Sequence, residues 1–370
     1  MKYYIIAGEA SGDLHGSNLV KELKKLDSEA QIRSWGGELM EAAGALVVKH
    51  YRDLAFMGFT EVIRNLPVIM KNLSFCKSDI QTFNPDVLVL IDYPGFNLRI
   101  AKWAKESGYK VIYYISPQVW AWKESRVKTI KKNVDRMLVI LPFEKAFYQK
   151  WDYKVTYVGH PLVQVINDFI NDHPADNKDK EQVIALLPGS RKQEIAKKLP
   201  VMLGASLAFP QYQFIVAKAS SLDDEFYEAF LKDYPNVSSV KNETYSLLSR
   251  SRAALVTSGT ATLETALFGV PEVVCYKGSS ISYQIAKRLI RIKYISLVNL
   301  IMDKKIVTEL IQDELTTANL VKELEKILHD PKTISRMKED YSELKNLLQE
   351  KSSASARSAQ EIVGFLQSNA

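Results

Sequence analysis

The 370-residue chain has only two cysteines, Cys76 and Cys275, and they lie in different halves. They form no CxxC pair and no zinc-ligand spacing, so a reducing compartment without a structural metal is expected. No apolar run is long enough to cross a bilayer. The opening Met1-Lys2-Tyr3-Tyr4-Ile5-Ile6-Ala7 is too short for a signal peptide and runs straight into Gly8-Glu9. A cytoplasmic protein is expected. No repeat of about 20–50 residues and no low-complexity tract is visible. A GxGxxG fingerprint is missing, which argues against a dinucleotide fold. No DxD-type acidic pair stands at a strand end, and no nucleic-acid-binding motif accompanies the basic residues. Neither a bound metal, an organic cofactor nor a nucleic-acid partner is therefore expected.

What remains is an ordinary globular composition, 46% hydrophobic and 25% charged with a net charge of +6. The length is generous for one core and comfortable for two. Apolar runs alternate with amphipathic helical patterns throughout. Strands are expected at Tyr3–Ala7, Ile32–Trp35, Leu46–Lys49, Val87–Asp92, Val111–Ile115, Met137–Leu141 and Thr156–Val158, with helices such as Leu14–Leu26 and Leu98–Ser107 between them. The polar, Pro-broken stretch from Asn171 to Lys180 reads as a linker. Beyond it, strands are expected at Val183–Leu187, Gln213–Ala217, Val237–Val240, Ala254–Thr257 and Glu272–Cys275, then a helix-rich tail from about Thr317. This pattern implies an α/β protein of two Rossmann-like domains, each a parallel sheet covered on both faces. The expected boundaries are 1–170, a linker at 171–182, 183–350, and a final helix within 351–370 that packs on either domain.

Two turns rich in small residues stand out, Gly8-Glu9-Ala10-Ser11-Gly12-Asp13 and Ser258-Gly259-Thr260-Ala261-Thr262-Leu263-Glu264. Each follows a strand and opens a helix, where unpaired N–H groups can meet a ligand. Their occurrence in both halves suggests two nucleotide-binding-type domains facing a shared cleft, one for a donor and one for an acceptor. The first turn reads either as a helix capped by Ser11 or Asp13, or as a carbohydrate-hydroxyl site built from Glu9, Ser11, Gly12, Asp13 and His15. Asp92, in Ile91-Asp92-Tyr93-Pro94-Gly95-Phe96-Asn97, ends an apolar strand, where open α/β sheets bind ligands. It reads as a cap for a helix starting near Asn97 or as a base for an attacking hydroxyl. Gln118, Trp120 and Trp122 form an amphipathic wall for a sugar or acyl chain, or simply core.

In the second half, Leu187-Pro188-Gly189-Ser190-Arg191-Lys192-Gln193-Glu194 is strand, tight turn, helix. A basic residue suits a helix N-terminus poorly, and a bound anion resolves the conflict. Ser190 and Arg191 are therefore candidates for a diphosphate. Glu264 either binds a ribose diol or complements the helix dipole. Asn299, at the end of an expected short strand in Ser296–Ile301, is a weaker candidate for reading a base or pyrophosphate. Basic clusters at Lys123–Arg136 and at Lys287, Arg288, Arg291 and Lys293 read as solvated faces or as attraction to anionic lipid or phosphate. The apolar stretch Tyr51–Leu73, with Phe56 and Met57, reads as a buried hairpin or as a surface that receives acyl chains at a membrane.

Together these segments resemble the lipid-A-disaccharide synthase family over nearly the whole chain. The shared strings are GEASGD at Gly8–Asp13, DxPxFN at Asp92–Asn97, SPxVWAW at Ser116–Trp122, LPFEKxFY at Leu141–Tyr148 and VGHPL at Val158–Leu162. LPGSRxxEI follows at Leu187–Ile195, SGTATLE at Ser258–Glu264 and SLxNL at Ser296–Leu300. Where some members carry an acid, this chain has Gly95, so no role for a second acid there is carried over. The resemblance implies a GT-B-type, inverting, metal-independent glycosyltransferase. It would join UDP-2,3-diacylglucosamine to 2,3-diacylglucosamine 1-phosphate, giving a β-1,6-linked disaccharide and UDP. It would act peripherally at the cytoplasmic face of a Gram-negative inner membrane. Asp92 would be the base, with Glu9 as the alternative. Ser11, Gly12, Asp13, His15, Asn97, Gln118, Trp120 and Trp122 would meet substrate. Gly189, Ser190, Arg191, Glu194, Ser258, Gly259, Thr260, Ala261, Thr262, Glu264 and Asn299 would hold UDP. The residues leave open monomer or homodimer, another UDP-N-acetylglucosamine transferase or epimerase, and a non-catalytic nucleotide-binding scaffold.

Overall fold

A strand such as Val87-Leu88-Val89-Leu90-Ile91 has no polar face, so it is stable only when covered on both sides. In the computed structural model, which describes residues 1–54, 66–173, 182–279 and 293–368, such strands form two all-parallel sheets. The first has seven strands in the order β3-β2-β1-β4-β5-β6-β7. They are β1 Lys2–Ala7, β2 Gln31–Gly36, β3 Leu46–His50, β4 Val87–Ile91, β5 Val111–Tyr114, β6 Arg136–Val139 and β7 Thr156–Tyr157. The second has six in the order β10-β9-β8-β11-β12-β13. These are β8 Val183–Leu187, β9 Gln213–Lys218, β10 Val237–Lys241, β11 Ala253–Thr257, β12 Glu272–Tyr276 and β13 Thr308–Ile311.

The chain divides into two compact units, Met1–Pro161 with Gln349–Ala370, and Leu162–Leu348. The helix Pro161–Asp172, nearly all of it beyond the first unit, packs the Phe169 ring on Tyr245 and Phe268 at 5.5 and 5.8 Å. The final helix Ala354–Gln367 packs on the first unit. Its Ala359, Ile362, Val363 and Leu366 join Ile5, Leu19 and Leu23 in one apolar cluster.

The strand order reverses direction in each sheet between two central strands, β1 and β4 in the first, β8 and β11 in the second. Successive crossovers then leave on opposite faces, and a crevice opens past the carboxyl ends of those strands. Ala7 pairs with Ile91, and Leu187 with Val256, so the turns at Gly8 and Asp92 lie side by side, as do those at Pro188 and Ser258.

Several sequence expectations need correction. Ser296–Ile301 is not a strand: Leu297–Met302 is helical, and the Ser296 hydroxyl caps it by accepting the Asn299 N–H at 3.3 Å. A six-residue apolar run cannot by itself distinguish the two states. The edge strand β13, Thr308-Glu309-Leu310-Ile311, has no continuous apolar run and is not among the expected strands. Helices also begin earlier than expected, at Ala10 and Pro94. Most of the linker, the basic residues Lys287, Arg288 and Arg291, and Phe56 and Met57 lie outside the described residues.

Asp13 caps a helix, but not its own. It is only 2% exposed, and its carboxylate accepts the N–H groups of Gly37 at 2.7 Å, Met40 at 3.1 Å and Leu39 at 3.1 Å. It thereby fixes the start of the short helix Glu38–Ala42. Asp13→Ala strands these buried donors and should cost about 1–3 kcal/mol. Urea denaturation checks this; an unchanged midpoint would contradict the role.

Candidate functional site

In the first unit, the turns after β1 and β4 are locked together by a close approach. A Cβ on Gly8 would stand 2.3 Å from Cδ1 of Tyr93, so only glycine lets that ring lie against the end of β1. Asp92 and Tyr93 both adopt left-handed backbone angles, φ 42° and 49°. Non-glycine residues pay for that conformation, and such strain concentrates at functional positions. Three bonds hold the turn in place. Asn97 Nδ2 donates to the carbonyls of Asp92 at 2.8 Å and Ile91 at 3.1 Å, and Tyr113 Oη donates to the Asp92 carbonyl at 2.5 Å. Asn97 is fully buried, so its amide shapes the turn that presents Asp92.

Asp92 itself is partly buried, and burial together with the nearby charge of Glu9 pushes its carboxyl up to about 6. A carboxylate tuned this way retains basicity near neutral pH. Glu9 is exposed and precedes the helix Ala10–Leu26. Ser11 is exposed, whereas Gly12 is buried, and a Cβ there would meet the Ala7 Cβ at 3.1 Å. Burial lowers His15 to about 4 and His160, aided by His15, to about 3, so both imidazoles are neutral at physiological pH. The buried His15 Nδ1 has no partner among the described residues.

After β5, the short helix Val119–Trp122 carries an exposed Trp122 with Lys123 and Arg126 over its ring, at 4.3 and 5.4 Å. Gln118 is exposed, and Trp120 meets the Phe143 ring edge-on at 5.0 Å. Beneath them Glu144, 1% exposed, accepts the Leu141 N–H at 2.9 Å, and burial pushes it up to about 7.

In the second unit, the turns after β8 and β11 line a cavity of about 530 Å³. Gly189, Ser190, Arg191 and Glu194 contribute from one side, and Ser258, Gly259, Thr260, Ala261 and Glu264 from the other. Gly189 and Gly259 have φ of 115° and 139°, so both turns require glycine. Each opens a helix, Lys192–Ser206 and Thr260–Leu267, and neither N-cap residue, Arg191 or Gly259, makes a side-chain cap. Among the described residues, the N–H groups at the start of both helices thus lack a side-chain cap from Arg191 or Gly259, and the dipoles favour an anion.

The other hydroxyls and amides have more local duties. Ser258 Oγ donates to the Ile295 carbonyl at 2.7 Å, and Thr262, fully buried, donates to the Gly259 carbonyl at 2.8 Å. Burial raises Glu264, which accepts from Tyr245 Oη at 3.0 Å. Asn299 is a correction. It is fully buried, its Oδ1 accepts from Ile306 and Val307, and its Nδ2 donates to Val307 O and Glu309 Oε1. All four bonds are internal, so it braces the loop before β13 instead of reading a ligand. Two residues went unnoticed in the sequence. Tyr245 lies on a separate helix and carried no signal. Lys198 did carry one, as a lysine on the buried stripe of Ile195, Leu199 and Met202.

Comparison with known proteins places this geometry. The glycosyltransferase of kitacinnamycin shares the fold, with a TM-score of 0.69 at 15% identity over 99% of both chains. A UDP-GlcNAc 2-epimerase from Neisseria meningitidis, bound to UDP-GlcNAc, superposes with a TM-score of 0.68 at 12% identity over both full chains. Two Rossmann-like units with turns gathered at the switch points define a GT-B-type glycosyltransferase fold. A family model for lipid-A-disaccharide synthetase matches residues 3–363. A lipid-A-disaccharide synthase from Geobacter metallireducens is 43% identical over 336 residues, 88% of either chain. The chain belongs to the lipid-A-disaccharide synthetase family, glycosyltransferases that make the lipid A disaccharide.

The raised Asp92 carboxyl has a consequence for stability. Its value, about 6, exceeds the ordinary 3.8, so ionisation disfavours the folded state. The penalty is absent below pH 4, grows between pH 4 and 6, and is complete above. Asn tolerates the left-handed angles. Asp92→Asn should therefore raise stability by about 1–3 kcal/mol at pH 7.5 and leave it unchanged at pH 3.5. Melting curves at the two pH values check this; destabilisation at pH 7.5 would contradict it.

Proposed function

We propose that the cavity of the second unit holds the diphosphate of a UDP-linked, acylated glucosamine donor, and that Asp92 of the first unit is the general base. The observation that carries the donor reading is the pair of glycine turns opening two uncapped helices onto one cavity, with Arg191 at its mouth. Backbone N–H groups, two helix dipoles and a guanidinium are suited to a diphosphate and to the negative charge that builds up on it as it leaves. No divalent cation is needed in this scheme. Glu264 is placed to accept from ribose hydroxyls, since it lines the same cavity one turn into its helix.

Asp92 accepts the proton of the acceptor's 6-hydroxyl as that oxygen attacks the anomeric carbon of the donor sugar. The bond from that carbon to the diphosphate oxygen breaks, UDP carries away the electron pair, and the configuration inverts. The strained turn, its raised carboxyl and the brace from Asn97 and Tyr113 support this role. Burial, aided by the charge of Glu9, keeps Asp92 basic. The acceptor is acylated glucosamine 1-phosphate.

Peripheral membrane attachment at the inner face of the inner membrane fits the acylated substrates. Val68 and Met70, 41% and 55% exposed on the helix Leu66–Phe83, and the exposed Trp122 flanked by bases are suited to a lipid headgroup region. Among the described residues no helix is long and apolar enough to cross a membrane.

The sharing of this fold with a 2-epimerase makes epimerisation the alternative reading, and product analysis separates the two. Mass spectrometry should find a disaccharide 1-phosphate and UDP from the two acylated sugars; conversion of UDP-N-acetylglucosamine alone would favour the alternative. Asp92→Asn should lose about 10²–10⁴-fold in kcat with UDP affinity retained. Arg191→Ala should weaken UDP binding with an unchanged melting temperature, and chelator should leave turnover intact. Normal kcat in the first variant, or unaltered UDP affinity in the second, would contradict the assignment. Flotation with anionic liposomes tests the membrane contact: Val68→Asp with Met70→Asp should release the protein, and full retention would refute it.

A further inference from the structure

Arg191, the N-cap of the helix Lys192–Ser206, and Glu194 and Lys198 within it are spaced so that their side chains come together. Arg191 Nη1 stands 3.4 Å from Glu194 Oε1, and Lys198 Nζ stands 3.6 Å from Glu194 Oε2. The two bases differ sharply in environment. Arg191 is 65% exposed at the cavity mouth, while Lys198 is 2% exposed. A Cβ added to Gly189 would lie 3.5 Å from Lys198 Nζ and 3.3 Å from Glu194 Oε2, so the ammonium sits directly behind the first glycine turn. Its other partner is Thr257 Oγ1, on the last residue of β11, immediately before the second turn.

A buried ammonium is costly unless paired, and an apolar residue would fill the Ile195–Leu199 stripe at lower cost. Both partners of Lys198 belong to the cavity wall. The charges explain what it does there. Glu194 is a carboxylate lining a cavity that takes an anion, and like charges at that range repel. When a diphosphate engages Arg191, that guanidinium is drawn away from Glu194, and of the two bases paired with Glu194 among the described residues Lys198 remains to neutralise it. Burial lowers the Lys198 ammonium, and the Glu194 charge opposes the shift.

We propose that Lys198 is a positioning residue for the nucleoside diphosphate: from behind both turns its ammonium holds Glu194 and Thr257, so that a carboxylate can line an anion pocket without repelling the ligand. This rests on the reading that the two turns bind the diphosphate.

The test is titration calorimetry of the full-length protein with UDP and, by displacement, with uridine, which lacks the phosphates. Lys198→Met should weaken UDP roughly 10–100-fold and change uridine by less than about 2-fold. Adding Glu194→Gln to that variant should recover most of the lost UDP affinity, since it removes the unneutralised carboxylate. Equal losses for UDP and uridine, no loss, or no recovery in the double variant would each overturn the proposal. Should Lys198→Met fail to fold, Thr257→Val serves instead. It should lower UDP affinity selectively, and a parallel loss of uridine affinity would overturn the role. Arg191→Ala is the control for the underlying reading: if it leaves UDP affinity unchanged, the diphosphate site itself lies elsewhere.

Discussion

Covering a parallel strand on both faces is the constraint from which the rest of this structure follows. The central strands have no polar side to show to water, so their crossover helices must occupy both faces of each sheet. Helices can change faces only where the strand order reverses. Those places, between β1 and β4 and between β8 and β11, are where main chain at strand ends stands free of a covering helix. The turns that leave those strands hold the residues we propose for the chemistry of each unit.

The two reversal points use opposite electrostatics. In the first unit two carboxylates, Glu9 and Asp92, are gathered at the turn, and burial, aided by the Glu9 charge, keeps Asp92 basic. In the second, two helix starts without a side-chain N-cap and Arg191 line a cavity, with Lys198 buried behind its first turn. An acidic turn suits proton removal from a hydroxyl; a basic, amide-rich cavity suits a departing diphosphate. In the proposed scheme the same α/β architecture serves both halves of one transfer, and fold likeness to an epimerase is consistent with this separation of fold from chemistry.

Much of this was legible in the sequence because it rests on local pattern. Strands with continuous apolar runs, such as Val183–Leu187, were read to the residue, and the glycine turns announced their own conformations. What was lost depends on contacts distant in sequence. Asp13 lies in a helix start and looked like its cap or a sugar ligand, yet its partners are Gly37, Leu39 and Met40. Asn299 looked like a strand-end amide, but a buried network through Glu309 consumes it. β13 was missed because it is short and only Leu310 of its four residues is buried, so it shows little apolar excess. The residues that brace Asp92, namely Gly8, Asn97 and Tyr113, do so through main-chain carbonyls and ring contact, which no residue spacing discloses.

The most direct test of the account is a crystal structure of the full chain with UDP. The diphosphate is expected in the second unit's cavity, accepting from N–H groups of the turns at Gly189–Arg191 and Ser258–Thr260 with the Arg191 guanidinium against it. A diphosphate bound away from these two turns, or held there only through a divalent cation, would contradict it.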